Sequence, residues 1–365
     1  MTSRGRRWLL VGALVVAIVV SPGIVRAWPA ADSDLSAASL RDRIGRSESA
    51  EWSGEVRTQG TLQIPDTDSF GGVSRLLGEE STLRVWWRDP LHWRIDRIRS
   101  TGETDLVRDG FRMIRWIFES RTATITTYSD IRLPDDSDLL PSRLAARMLA
   151  GAESRELTRL PSRRVSGRDA RGLRLEPRGG RSTIRRVDVW AEPETGLPLR
   201  VEVFGSEAGR PVVTSRVVRL DISPPSDSST RFAPAPGVKV RTQDALDVAA
   251  GANAFAPFDL PASLAGLDRR GDPSGLGAVG VYGRGPTALV AIPLRRSLAS
   301  RVRDQLSTST NARQSGAGTS LEVGPLSILV TRGGRGRGTF VLGGTVTPEL
   351  LRKAAADLRE GVVLR

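Results

Sequence analysis

Between residues 81 and 128, apolar and polar side chains alternate with a period of two, the pattern of strands with one covered face. Leu83, Val85 and Trp87 fall on one side of the first run. After the break at Asp89-Pro90, Leu91, Trp93 and Ile95 fall on one side of the second. Two more short runs flank Asp109-Gly110, a dipeptide suited to a type I′ hairpin turn. Residues 51–64, 122–128, 163–176, 183–192, 197–205 and 211–222 carry the same alternation less cleanly. Short strands joined by tight turns pair antiparallel, and one apolar face per strand predicts a sheet covered on one side only.

Residues 138–150 change to helical spacing, with Leu140, Leu144 and Met148 beside Ala145 and Leu149. Pro141 suits the first turn and Gly151 the stop. A second amphipathic helix is expected within 32–48, and a loop with a turn of helix at 73–77 within 65–80. Residues 223–237 read as linker-like with Phe232 pointing inward, and Phe255 and Phe258 as docking between units. Residues 276–363 read as a small α+β unit. Its strands are expected at 278–282, 288–293, 320–330 and 339–343, and its helices at 297–306 and after the Thr347-Pro348 cap. The domain reading is a sheet unit at 32–240, a linker at 241–275 and the α+β unit at 276–363.

Composition narrows the chemistry. The 365 residues carry 54 Lys plus Arg against 41 Asp plus Glu, a net charge of +13, with no Cys and one His. Disulfides, thiolates and zinc sites built on Cys or several His are excluded. Lys occurs only as Lys239 and Lys353, so the positive charge is almost wholly arginine, the mark of a GC-rich coding sequence. The arginines are scattered through strands and loops rather than set in one stripe, which speaks against dedicated nucleic-acid binding. An anionic membrane surface remains a partner for such a field. At the N-terminus, Arg4, Arg6 and Arg7 precede an apolar run from Trp8 to Val20, and Val25 and Ala27 suit cleavage. Residues 1–27 are expected to export the body of the chain, as a cleaved signal peptide or as an anchor held by residues 8–25.

Familiar motifs carry little. Gly275, Gly277 and Gly280 satisfy G-x-G-x-x-G, but a strand-like run overlaps the motif where a helix is required. His92 lies opposite the Leu91, Trp93 and Ile95 face and lacks a serine in a strained elbow. Asp135, Asp136 and Asp138 suit a helix start better than a calcium loop. No catalytic constellation, metal or cofactor is expected. Arg332, Arg335 and Arg337 form a glycine-rich basic loop between strands, able to meet anionic lipid headgroups. Six tryptophans, Trp52, Trp86, Trp87, Trp93, Trp116 and Trp190, fall in the expected strands of one unit. Such rings either pack as core or line an apolar groove, and periodicity leaves both open.

A short helix before Trp52-Ser53-Gly54 is followed by V-W-W-R-D-P at 85–90 and W-R-I-D at 93–96. The Asp109-Gly110 hairpin comes next, then V-D-V-W-A-E-P-E-T-G-L-P-L at 187–199. This order resembles the lipoprotein-carrier superfamily of LolA, LolB and the N-terminal domain of the sigma-E regulators RseB and MucB. The resemblance covers about residues 32–240, and the extra unit that follows is similar to that of the RseB group. It implies a mainly β fold: a curved antiparallel half-barrel lidded by helices, then a small α+β domain. It further implies a non-catalytic envelope protein, a sensor or regulator binding a lipid acyl chain or lipoprotein and a membrane protein partner such as an anti-sigma factor. A carrier of lipid or lipoprotein, and a structural envelope protein without ligand, are the alternatives. Leu83, Val85, Trp87, Leu91, Trp93, Ile95, Leu144 and Met148 are the expected cavity lining.

Overall fold

The computed structural model describes residues 34–62, 71–129, 132–206, 209–234, 236–243, 258–271, 278–333, 338–361 and 363–364. Helix α1 (Ala37–Arg46) starts where the Ser36 hydroxyl accepts the Ser39 N–H, and it turns Leu40 and Ile44 inward. Strand β1 (Trp52–Gly60), helix α2 (Gly71–Gly78) and four strands follow: β2 (Glu80–Asp89), β3 (His92–Arg99), β4 (Gly102–Asp109) and β5 (Arg112–Ile117). After β6 (Thr122–Thr127) comes helix α3 (Pro141–Leu149), then β7 (Leu157–Val165), β8 (Arg168–Leu175), β9 (Ile184–Ala191), β10 (Pro198–Gly205), β11 (Val213–Asp221) and β12 (Lys239–Thr242).

These twelve strands form one open sheet in the order β12-β6-β5-β4-β3-β2-β1-β11-β10-β9-β8-β7. Two meanders are sewn together where β11 pairs with β1, and only the β12–β6 pair is parallel. The sheet curls strongly. The Ser166 hydroxyl, at the β7–β8 turn, donates to the Val217 carbonyl on β11 at 2.6 Å although β9 and β10 intervene in the order. Helices α1 and α3 lie on the concave side, where Leu40, Ile44, Leu144, Ala145 and Leu149 pack against Val187, Val189, Val201 and Val203.

Several sequence expectations need correction. The 163–176 run is two strands, because Ser166 and Gly167 both take positive φ (51° and 77°) and turn the chain there. The turn near Asp109 is not type I′. Asp109 pairs with Arg112, leaving Gly110 and Phe111 as the loop with only Gly110 at positive φ. The sheet is also not one-sided throughout. Consecutive apolar pairs, Leu106-Val107 and Met113-Ile114, send one side chain to each face. The outer members are covered by the segment after β11, which makes one helical turn (Asp227–Thr230), packs Phe232 on Trp116 at 6.1 Å and ends in β12.

The smaller unit has a six-stranded sheet. After the short strands β13 (Phe258–Asp259), β14 (Ser263–Leu264) and β15 (Leu267–Asp268) come β16 (Gly280–Arg284), β17 (Thr287–Leu294), β18 (Arg313–Gln314), β19 (Gly318–Val323), β20 (Leu326–Thr331) and β21 (Thr339–Gly344). Their order is β16-β17-β21-β20-β19-β18. The expected 320–330 strand is a hairpin instead, broken at Gly324-Pro325. Helices α4 (Arg296–Ser307) and α5 (Pro348–Gly361) accompany it, and α5 buries Leu350, Leu351 and Leu358 against Tyr282, Leu329 and Phe340. Leu260, Leu264, Ala265 and Leu267, from the stretch read as linker, belong to this core. The units are joined by backbone: Thr183 N–H donates to Thr345 O at 3.1 Å and Thr347 N–H to Arg181 O at 3.0 Å.

Candidate functional site

Register places the tryptophans. Trp52 pairs with Trp87 and Trp87 with Trp93, while Val85 pairs with Ile95 and Val56 with Leu83. The Trp87 and Trp93 rings stack with centroids 6.1 Å apart and planes 8° apart. The Trp87 indole N–H donates to Glu48 O at 3.1 Å, and Arg143 lies 5.9 Å from its ring centroid. Leu140, Leu197 and Leu199 pack into the same cluster. Leu83, Val85, Trp87, Trp93 and Ile95 are therefore together, each at most 2% exposed, beneath the protein's own side chains.

The other three expected lining residues sit elsewhere. Leu91 lies in the β2–β3 turn and is 41% exposed, because the register shifts between Trp87 and Asp89 and ends the alternation before residue 91. Leu144 and Met148 approach the β8–β11 half rather than the tryptophans. Leu140, one turn earlier, is the residue that reaches the tryptophan cluster.

The acidic run before α3 is an arginine clamp. Asp135 caps the turn by accepting the Ser137 N–H at 2.9 Å. Asp136 is buried and paired with Arg97 at 2.9 Å, and Asp138 is buried between Arg132 at 2.7 Å and Arg147 at 2.6 Å. Burial raises the Asp136 pKa against the pull of Arg97. Burial acts the same way on Asp138, but Arg132 and Arg147 outweigh it and hold that carboxyl below its ordinary value. The run does cap the start, through Asp135, but Asp136 and Asp138 are buried in ion pairs rather than solvated.

A second carboxylate group was not foreseen. Cross-strand partners Asp96 and Asp105 lie buried on the outer face with Glu103, one oxygen of each within 4.8 Å of the others. Arg94 donates to Asp96 at 2.6 Å and to Asp105 at 2.8 Å, so a guanidinium already occupies the place of a cation. Burial, then the neighbouring Asp96, pushes Asp105 up to about 7. The visible signal was R-I-D at 94–96, which period two puts on one face.

His92 shares a turn with Asp89, whose carboxylate accepts the Leu91 and His92 N–H groups and lies 2.9 Å from His92 Nδ1. These contacts outweigh burial and keep Asp89 below its ordinary pKa. Gly280 opens β16, as a strand rather than a helix follows the glycine motif. Gly275 and Gly277 lie outside the described residues, as do Arg335, Arg337 and residues 1–27. Arg332 is exposed just past β20. Among the described residues, no helix is long and apolar enough to cross a membrane. A cleft of about 330 Å³ opens where the two units meet, lined by Arg178, Arg181, Arg270, Arg284, Glu156 and Asp268 among others.

Residues 113–236 match the model of the MucB/RseB N-terminal domain. Among solved structures, the chain is similar to one in the Pseudomonas aeruginosa MucA/MucB complex, with 16% identity, 87% of this chain and 96% of that one covered, and a TM-score of 0.49. It is similar to MucB at 13% identity, covering 90% and 98%, with a TM-score of 0.46. A LolA-superfamily protein from Nitrosomonas europaea aligns at 12% identity over 54% of this chain and 98% of its own, with a TM-score of 0.24. No curated protein matches. The family match falls on the part of the open, curled antiparallel sheet that runs from β5 to the segment after β11, and there the chain is similar to the MucB/RseB N-terminal domain.

Proposed function

We propose that the chain is a non-catalytic, extracytoplasmic regulator of the MucB/RseB type that acts by holding a protein partner, an anti-sigma factor being the class the resemblance implies. The observation that carries this reading is the family match over residues 113–236, which spans β5 to the strap behind β11, on a chain that also has the second unit. The filled interior favours it over a carrier of acyl chains. A carrier needs an apolar space open to its cargo, and here Trp87 and Trp93 are covered by Leu140, Leu197 and Leu199. The test is purification of the native protein from the envelope fraction, followed by mass spectrometry of co-purifying proteins and lipids. A stoichiometric membrane protein partner is expected. Recovery of lipid in stoichiometric amount with no protein would overturn the regulator in favour of the carrier.

A further inference from the structure

The cleft between the units is not balanced in charge. It forms beyond the C-terminal end of α3, where Ala150, Gly151 and Ala152 face Gly283, Pro286 and Thr287 across about 330 Å³. Arg284 crosses from the small unit and is consumed there: it donates to Glu156 at 2.7 Å, to Glu153 at 2.8 Å and to Gly151 O at 2.6 Å. The Gly151 carbonyl lies at a helix C-terminus, where a cation is favoured. Glu156 is equally consumed, since it also accepts the Glu153 and Arg178 N–H groups. Its pKa is held below the ordinary value, as Arg284 and these N–H groups outweigh burial.

What remains is cationic. Arg178 and Arg181 come from the loop between β8 and β9, and Arg270 follows β15 in the small unit. Among the described residues, none of the three makes an ion pair, and Arg181 spends one N–H on Gly266 O at 3.0 Å. Asp268 is the remaining carboxylate of the lining and is exposed. Arg178, Arg181 and Arg270 line the cleft from both units, and arginine side chains are the residue type that recognises oxyanions. A phosphate group presents three or more acceptor oxygens in different directions, whereas a carboxylate offers two in one plane, so separated arginine forks fit the former.

We propose that this cleft binds a small phosphate-class anion, held by Arg178, Arg181 and Arg270, and that occupancy clamps the two units together. The clamp follows from the geometry, because the donors come from both units. A ligand that binds only the docked arrangement stabilises it by mass action.

The test uses the full chain at constant ionic strength, with inorganic pyrophosphate as the probe and thermal unfolding plus hydrogen exchange as readouts. A saturable rise in Tm is expected, with slowed exchange at both 150–156 and 283–287. Arg178→Ala and Arg270→Ala should each weaken the apparent affinity by about tenfold, the loss of one charge-assisted contact. Arg219→Ala, removing a side chain 82% exposed on β11, should leave it unchanged. A second arm compares sedimentation with phosphatidylglycerol vesicles. Vesicle binding lost in the same two variants assigns the phosphate to a lipid headgroup, and vesicle binding equal in wild type and variants assigns it to a soluble anion. No Tm rise in the wild type, a rise equal in all variants, or protection confined to one unit overturns the proposal.

Discussion

Replacing Trp93 by Ala tests whether the tryptophan face is packed interior. Trp93 is 0% exposed and stacked on Trp87 at 6.1 Å. Truncating a fully buried Trp costs about 3–5 kcal/mol, the sum of lost transfer energy and the cavity left behind. About 0.5–1.5 kcal/mol of that belongs to the ring–ring contact with Trp87. The indole N–H works in the other direction. Among the described residues Trp93 Nε1 is buried without an acceptor, and such a donor costs about 1–3 kcal/mol. Trp93→Phe removes the unpaired donor and leaves a much smaller cavity than Ala does, so it should cost clearly less than Trp93→Ala. Urea unfolding followed by far-ultraviolet circular dichroism, with equal m-values required, separates the two variants. Against a total near 5–15 kcal/mol, the Ala variant should lose a visible share of its midpoint. A loss under about 1 kcal/mol for Trp93→Ala would refute the reasoning, since only an open face relaxes that cheaply.

The pH dependence of stability should carry Asp105. A carboxyl raised from 3.8 to about 7 keeps its proton in the folded state while the unfolded chain has lost it. Its stabilising effect is therefore present at low pH and is lost as pH rises toward 7. Urea midpoints of Asp105→Asn minus wild type should grow from pH 4 to pH 7, and a flat difference refutes the shift. Leu144→Glu should cost about 3 kcal/mol or more by burying an unpaired charge, whereas half-buried Met148→Glu should cost clearly less, checked in the same unfolding assay. Gly54→Ala should destabilise by about 1–3 kcal/mol, because a Cβ there falls on the Arg219 carbonyl beside the β1 bulge; a neutral result by thermal unfolding contradicts that contact.

Strand periodicity made the half-barrel legible where one face was wet. The runs at 83–87 and 93–95 read correctly because Arg84 and Arg94 interrupt the apolar positions. It failed where both faces are covered. Val107 and Ile114 spoil the alternation of β4 and β5, since the 223–243 strap that covers them comes more than a hundred residues later. The Ser166-Gly167 and Gly324-Pro325 turns were visible as dipeptides, but each lies inside a continuous β-like run that masked it. The helix α3 was recognisable as an element, yet which cluster its Leu144 joins depends on the curl of the sheet, a long-range property that no local window contains.

The arginine content was legible as a number and obscure as chemistry. Period two places residues i and i+2 on one face of a strand. Three strands exploit it with the same unit: Arg94-Ile95-Asp96, Arg186-Val187-Asp188 and Arg200-Val201-Glu202. In each the apolar residue between is fully buried, while the flanking charges approach at 2.6, 3.5 and 2.5 Å on the other side. Cross-strand register adds a further pair, with Arg174 bidentate to Asp188 at 2.7 Å for both contacts. Arg186 also lies over Phe204 at 3.7 Å, and further guanidinium groups lie over rings, Arg163 on Trp190 at 4.2 Å and Arg108 on Tyr128 at 3.5 Å. Much of the arginine is thus satisfied within the chain, on both faces of the sheet. Net charge alone therefore says little about partners here. The informative arginines are those that the sheet does not pair, and at the junction of the two units three of them line one cleft.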